Sequence, residues 1–260
     1  MKISRCAVSV LFLVLLCCGQ EAGAQYRSDF SSVPPPGVLS PDPSKWWIGP
    51  QIGANLNTHS GDFITDFCEC SFEDGSGIGF GMGVEIGHFL SSSFAFAVKV
   101  LYDDLRADYA YNITLPTEVE NEGILDLPYE RKNSVVLSYL MVNPVLQFYP
   151  VSSLYVFAGP AIGVSGTATQ EYTLQLADEN FEYVIGDPTT NLVEKDSGEI
   201  PRVESLRADV RAGIGANIRI GRGISFSPEV SYALPLTRIS DDENWEAAAV
   251  RLIGVFKFDI

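Results

Sequence analysis

The sequence predicts an all-β protein, an eight-stranded antiparallel up-and-down transmembrane β-barrel. Eight segments alternate apolar with polar or small residues at period two, the period of a strand with two different faces. Short and long connections alternate between these segments, as short periplasmic turns and longer extracellular loops do in such barrels. Beyond the first 24 residues, no segment has the run of about 18 apolar residues that a membrane helix needs. If the chain spans a membrane, it must therefore do so as a closed barrel.

The N-terminal segment has the features of an export signal. Lys2 and Arg5 precede an apolar run over 7–16, and Ala22-Gly23-Ala24 matches a small-residue cleavage pattern. A Pro/Ser-rich stretch without periodicity follows and predicts a flexible tether. We expect a signal peptide over 1–24, a periplasmic leader over 25–44 and the barrel over 45–260.

The clearest strand pattern runs from Leu206 to Ile220. Its apolar positions alternate with charged residues, glycine and Asn217 without a break. At about 3.3 Å per residue, one strand of this length would reach about 50 Å, enough to cross a membrane at a tilt and project beyond it. The other seven predicted strands lie near 46–56, 78–86, 94–103, 136–149, 155–165, 224–237 and 250–260.

The connections between these segments fall into two classes. Those near 91–93, 150–153 and 221–223 are short, with Gly or Ser residues suited to tight hairpins. The other four are mostly long, near 58–76, 110–132 and 173–204, with a shorter one near 240–244, and we expect all four to be loops. Most of the 33 acidic residues lie in or beside these four connections.

The composition of the two faces predicts which one meets lipid. The apolar face carries most of the large aromatic residues, whereas the other face is rich in Gly, Ser and Ala with a few charges. Because an eight-stranded barrel has a narrow interior, the small and charged face fits inside. We expect a lumen filled by small residues and by a charge network comprising Glu85, Lys99, Asp209, Arg211, Arg219, Glu229, Arg251 and Lys257. Such charges suit a structural plug better than a proton or ion path.

Cys68 and Cys70 are the two cysteines that remain after the signal. In an oxidising periplasm they could form a disulfide or stay a free pair, while two thiolates alone make a weak metal motif. We expect no metal site and no cofactor.

Only one segment of the sequence could supply the residues of a catalytic site. His59, in the Asn57 to Asp62 stretch, falls near the long-loop rim, whereas His88 falls beside a short turn. A nucleophile, a base and an orienting group would have to converge there. Residues close in sequence do not make that geometry, so we expect no catalytic residue.

Several short sequence segments resemble those of known families of small barrels. Ala158-Gly159-Pro160 and the segment from Phe226 to Tyr232 are similar to the OmpA-barrel-like families, including the outer-membrane β-barrel group common in Bacteroidetes and Chlorobi. The C-terminal segment over 255–260 is similar to the aromatic signal read by the barrel-assembly machinery, although it ends in Ile260 rather than Phe. The resemblance implies the outer membrane of a Gram-negative bacterium, with outer-membrane lipid, lipopolysaccharide and the assembly machinery as partners. Unlike full-length OmpA-type proteins, we expect no peptidoglycan-binding domain after the last strand, and we expect a monomer.

The net charge of −16 argues against nucleic-acid binding. The acidic connections favour a soluble, repulsive outer surface over a defined cation site. We therefore expect a non-enzymatic barrel with a structural or surface-interaction role through its acidic loops. A narrow pore for small solutes is the alternative, and a lipid-modifying enzyme is the third.

Overall fold

The computed structural model describes residues 45–68, 70–119, 123–177, 192–240 and 244–260. The predicted signal peptide and leader lie outside the described residues. Within these ranges, no helix is long and apolar enough to cross a membrane. The strands are β1 Trp46–Ser60, β2 Phe63–Thr65, β3 Cys70–Phe72, β4 Gly75–Phe89, β5 Phe94–Asp104, β6 Ala107–Val119, β7 Gly123–Val151, β8 Leu154–Leu176, β9 Leu192–Glu199, β10 Leu206–Ala216, β11 Ile218–Gly221, β12 Ile224–Pro235 and β13 Glu246–Asp259.

Eight strand positions close into an antiparallel ring. In chain order these positions are β1, β4, β5, β7, β8, β10 with its continuation β11, β12 and β13, and each pairs with the next. The ring closes where β1 pairs with β13, from Trp47 opposite Asp259 to Ser60 opposite Glu246. The predicted eight-stranded up-and-down barrel is confirmed.

The outer face of the ring is an apolar band. On β1 the exposed side chains include Trp46, Ile52 and Leu56, while Gln51 and Asn55 are buried on the lumen side. Ten steps from Trp46 to Leu56 cover about 33 Å of strand, or about 25 Å of height at a tilt of about 40°. That height matches the apolar band of outer-membrane barrels. Aromatic side chains exposed near the short-turn end include Trp46, Phe94, Phe148 and Phe258.

Two of the predicted long loops are instead extensions of the sheet. β6 pairs with the first part of β7, and β9 pairs with the last part of β8, so four strands continue beyond the band. We call β6, β9 and residues 123–137 and 167–176 the extension. The loop predicted over 110–132 is therefore wrong, and the loop predicted over 173–204 is wrong at 173–176 and 192–199, while residues 178–191 lie outside the described residues.

The extension was not predicted from the sequence because its outer face is polar, whereas the outer face of the band is apolar. Within the band the outer side is apolar, and the lumen side mixes charged and polar residues with aromatic and small ones. In the extension Leu127, Tyr129 and Tyr172 are buried on the inner face, whereas Ser134 and Glu171 lie exposed outside. This is the alternation of a sheet that faces water, so the change in the outer face marks the level where the apolar band ends.

The small hairpin β2–β3 lies in the first predicted loop and closes the same apolar region. Phe63 and Phe72 pair across it and pack with Tyr109 of β6 and Trp245 near the start of β13. The interior within the band thus combines charged layers with a buried apolar cluster, and a second apolar core, which also contains Leu105, continues beyond the band.

The strand predicted over Leu206–Ile220 is interrupted. β10 ends at Ala216 and β11 begins at Ile218, while the Asn217 side chain is buried in the lumen. The register with β12 is unchanged across the break, since Gly215 lies opposite Glu229 and Ile218 opposite Phe226. Asn217 instead donates its backbone N–H to the Ser153 carbonyl at the neighbouring turn, 2.7 Å away.

The lumen contains the expected small and charged residues, and also large aromatic side chains that were not expected. Inward glycines lie directly opposite large inward side chains of the next strand, in the pairs Trp47–Gly87, Tyr155–Gly215, Phe157–Gly213 and Met141–Gly163. A Cβ on Gly215 would lie 2.4 Å from the Tyr155 ring, and one on Gly87 would lie 2.1 Å from the Trp47 ring. The glycines therefore provide room for aromatic rings inside the barrel.

Candidate functional site

The half of the lumen near the short turns contains two lysines and two glutamates. We call Glu85, Lys99, Glu229 and Lys257 the lysine layer; all four are buried. Lys99 Nζ lies 2.5 Å from Glu229 Oε2 and 3.1 Å from Glu85 Oε2, and Lys257 Nζ lies 3.5 Å from Glu85 Oε1. Glu85 and Lys99 are directly opposite on β4 and β5. The formal charges of this layer cancel.

Aromatic and polar side chains complete the hydrogen bonding of the lysine layer. Trp47 Nε1 donates to Glu85 Oε1 at 2.7 Å, and the Tyr155 hydroxyl donates to Glu229 Oε1 at 2.8 Å. Lys257 also lies over the Tyr155 ring, 4.7 Å from its centre. These contacts hold both carboxylates at fixed positions across the barrel axis, since the partners come from β1, β4, β5, β8, β12 and β13.

A second charged cluster crosses the lumen nearer the long-loop end. We call Asp103, Arg207, Asp209, Arg211 and Arg251 the arginine layer. Arg211 Nη2 lies 2.8 Å from Asp103 Oδ2 and 3.1 Å from Asp209 Oδ2. Arg251 Nη2 lies 3.0 Å from Asp103 Oδ2, and Arg207 Nη2 lies 2.8 Å from Asp209 Oδ1. Side chains from β5, β10 and β13 thus join across the bore.

Seven of the eight residues expected in the lumen network lie in one of these layers. Arg219 is the exception: its side chain is exposed and its Nε donates to the Gly221 carbonyl. The register shifts between Arg219 and Gly221, where the ladder ends at a short turn, so this side chain leaves the lumen. Placing Arg219 in the network was therefore wrong.

Asp103 and Arg207 belong to the arginine layer but were absent from the expected network. Both lie on the inward face of their strands by parity, as residues 99 and 209 do. The period-two alternation of each strand would have been enough to place both side chains in the lumen. Their pairing needed the register across the ring, because Asp103 and Arg211 are 108 positions apart in the chain.

Above the arginine layer, His59 is enclosed by aromatic residues. Its Nε2 lies 2.8 Å from the Leu105 carbonyl, which can only accept, so Nε2 carries the proton. Its Nδ1 then accepts from the Tyr109 hydroxyl at 2.8 Å, and that hydroxyl accepts from Trp245 Nε1. With both ring nitrogens engaged and no exposed surface, His59 is not placed to act as a base on an outside substrate.

The remaining expected site residues lie in the β2–β3 hairpin. Cys68 and Cys70 are joined by a disulfide in the structure. Across the described ranges, no group of three or more His, Cys, Asp or Glu side chains is arranged to hold a metal ion.

The outer face of the extension is polar and carries both signs of charge. Lys195 lies 2.9 Å from Glu171, and Lys132 lies 2.9 Å from Glu130. A shallow open groove runs across β7, β8 and β9, lined by Ser134, Val136, Thr169, Gln170, Glu171, Ser197, Gly198 and Glu199. Part of the acidic sequence, including 178–191 and 241–243, lies outside the described residues.

Comparison with known proteins gives only distant likenesses. No protein-family model matches the chain, and no curated protein matches it. Among solved structures, OprG of Pseudomonas aeruginosa is 10% identical, with a TM-score of 0.37 over 85% of this chain and 99% of that one. Neisserial surface protein A is 10% identical, with a TM-score of 0.34 over 82% and 96%.

Ail, the attachment invasion locus protein of Yersinia pestis, is similar to the same degree. It is 10% identical, with a TM-score of 0.32 over 82% of this chain and 99% of that one. Likeness at this level supports no statement about ligand or activity. The assignment to eight-stranded antiparallel β-barrels with an apolar outer face follows from strand pairing and burial.

Proposed function

We propose that the protein is an integral outer-membrane β-barrel of a Gram-negative bacterium, with a structural or surface-interaction role and no enzymatic activity. Under this proposal, the barrel belongs to the OmpA-barrel-like families or to the outer-membrane β-barrel group common in Bacteroidetes and Chlorobi. It is monomeric, and its partners are outer-membrane lipid, lipopolysaccharide and, during biogenesis, the barrel-assembly machinery. The extension and the acidic long-loop end provide the interaction surface.

The observation that carries the proposal is the obstruction of the lumen at three levels. The lysine layer and the arginine layer each join side chains from several sides of the ring. The aromatic cluster around His59 links β1, β6 and the residue before β13 at a third level. Asn143, directly opposite Lys99 on the next strand, donates to the Pro160 carbonyl from an inward position. A narrow barrel with such contacts favours a plug over a pore.

The extension supports a role outside the membrane. It adds a four-stranded sheet beyond the apolar band, with a polar outer face and the apolar inner core described above. A sheet this large is not needed to close the barrel, because the ring is complete without β6 and β9. Projecting surfaces on rigid scaffolds are common sites of interaction.

A labelling experiment on intact cells tests location and orientation together. In a C68S/C70S background, Ile124→Cys places a thiol on the exposed extension, and Ser92→Cys places one at a short turn. A membrane-impermeant maleimide should label residue 124 in whole cells and label residue 92 only after lysis. Labelling of residue 92 alone would reverse the proposed orientation, and recovery of the protein in the soluble fraction would refute the membrane location.

Planar-bilayer recordings separate the plug from the pore. The refolded wild-type barrel should show no steady conductance steps. A variant with Arg211→Ala and Arg251→Ala, which removes two of the side chains crossing the lumen, should conduct more often than wild type. Steady wild-type steps of uniform size would refute the plug and favour the narrow pore.

A further inference from the structure

The two charged layers of the lumen differ in their formal charge. The lysine layer contains two cations and two anions, all buried. The arginine layer contains three guanidinium groups and two carboxylates, and all five side chains are at most 3% exposed. Its formal charge is therefore positive by one unit.

The carboxylates of the arginine layer are already shared. Asp103 Oδ2 lies within 3.0 Å of both Arg211 Nη2 and Arg251 Nη2, so two guanidinium groups meet at one oxygen. Asp209 is likewise divided between Arg207 and Arg211. Among the described residues, no hydrogen-bond partner is present for Nε and Nη1 of Arg211 or for Nε and Nη1 of Arg251.

An unbalanced buried charge is costly, and arginine cannot relieve it by losing a proton. A buried lysine can become neutral, whereas the guanidinium stays protonated in proteins. Water molecules can satisfy the free N–H groups, but they carry no charge. An anion near the free nitrogen atoms would supply the compensating charge that water cannot.

We propose that the arginine layer binds one small monovalent anion of the halide class, held by the free N–H groups of Arg211 and Arg251. One negative charge balances the layer, whereas a divalent anion would reverse the imbalance. Water accompanies the ion, because Asp103 Oδ1 and Asn55 Oδ1 also lack donors within the described part of the chain. The inference concerns the lumen and does not depend on what the outer surface contacts.

A chloride titration of the detergent-refolded protein tests this site. Chloride would replace gluconate at constant ionic strength, and the unfolding temperature would be followed by the heat-dependent shift in gel migration. A ligand that binds only the folded state raises this temperature in a saturable way. We expect a rise of several degrees with chloride, and bromide should replace chloride.

Matched variants separate the site from general salt effects. Arg251→Met leaves two guanidinium groups and two carboxylates, so the chloride dependence should disappear. Arg219→Gln removes an exposed arginine, and Lys257→Met removes a cation from the lysine layer; both should keep the dependence. A wild-type unfolding temperature indifferent to chloride, or an Arg251→Met variant that keeps the full dependence, would overturn the proposal.

A diffraction measurement covers the case in which Arg251→Met does not fold. Crystals of the wild-type protein grown in bromide should show an anomalous peak within hydrogen-bonding distance of Arg211 and Arg251. Bromide peaks confined to the protein surface would overturn the proposal.

Discussion

Replacement of Lys99 by Met tests the energetic role of the lysine layer. Lys99 is the link between the two buried glutamates, at 2.5 Å from Glu229 and 3.1 Å from Glu85. Met has a similar length and no charge, so the variant leaves Glu229 without its cation. Removing one partner of a buried ion pair costs about 3–5 kcal/mol. Lys257 remains 3.5 Å from Glu85, so we expect the low end, about 3 kcal/mol.

The chain provides a matched control for this substitution. Lys195 pairs with Glu171 at 2.9 Å, but both side chains are about half exposed on the extension. Because water screens an exposed pair, Lys195→Met should change the free energy of unfolding by less than about 1 kcal/mol. Both pairs are short, so the difference between the variants measures burial rather than distance.

Urea unfolding of the refolded barrel in detergent, followed by tryptophan fluorescence, gives the comparison. The double variant Lys99→Met with Glu229→Gln should be more stable than Lys99→Met alone, because the uncompensated carboxylate is removed. Equal losses for Lys99→Met and Lys195→Met would refute the reasoning. So would a double variant whose loss equals the sum of the two single losses.

Two further predictions concern packing and the aromatic cluster. Gly215→Ala would drive a Cβ into the Tyr155 ring, and should cost about 1–3 kcal/mol in the same urea assay, whereas Gly221→Ala, with its nearest contact at 3.8 Å, should be close to neutral. His59→Ala removes two buried hydrogen bonds and ring packing, and should cost about 2–4 kcal/mol without changing the lipid composition of the membrane. An altered lipid profile with unchanged stability would favour the enzymatic alternative.

The ring of strands could be predicted because each segment carries its own two-faced pattern. Trp46, Ile48 and Ile52 alternate with inward residues on β1 as they do in the sequence, and the same parity assigned Glu85 and Lys99 to the lumen. Lipid on one side of a strand makes period-two alternation strong. Where both faces leave the membrane, that constraint is lost: the apolar residues of β6 point inward, and those of β9 show no two-faced pattern.

The error at Arg219 and the aromatic rings that were not predicted in the lumen have a different origin. Arg219 has inward parity, but the shift in pairing before Gly221 turns it to solvent. From the sequence alone, the inward glycines of β4 and β10 indicate a lumen filled by small residues. The residues that lie opposite them on the neighbouring strands are not visible in the sequence. Only the register shows that Gly87 faces Trp47 and that Gly215 faces Tyr155.

The sequence by itself determined the strand number, the lipid-facing side and most of the lumen charges, because strand parity is a local property of the chain. The tertiary structure decided which charges meet, since partners such as Lys99 and Glu229 are brought together only by closure of the ring. It also decided that one layer is balanced and the other is not. That difference depends on Asp103 being shared by Arg211 and Arg251, three residues from three different strands.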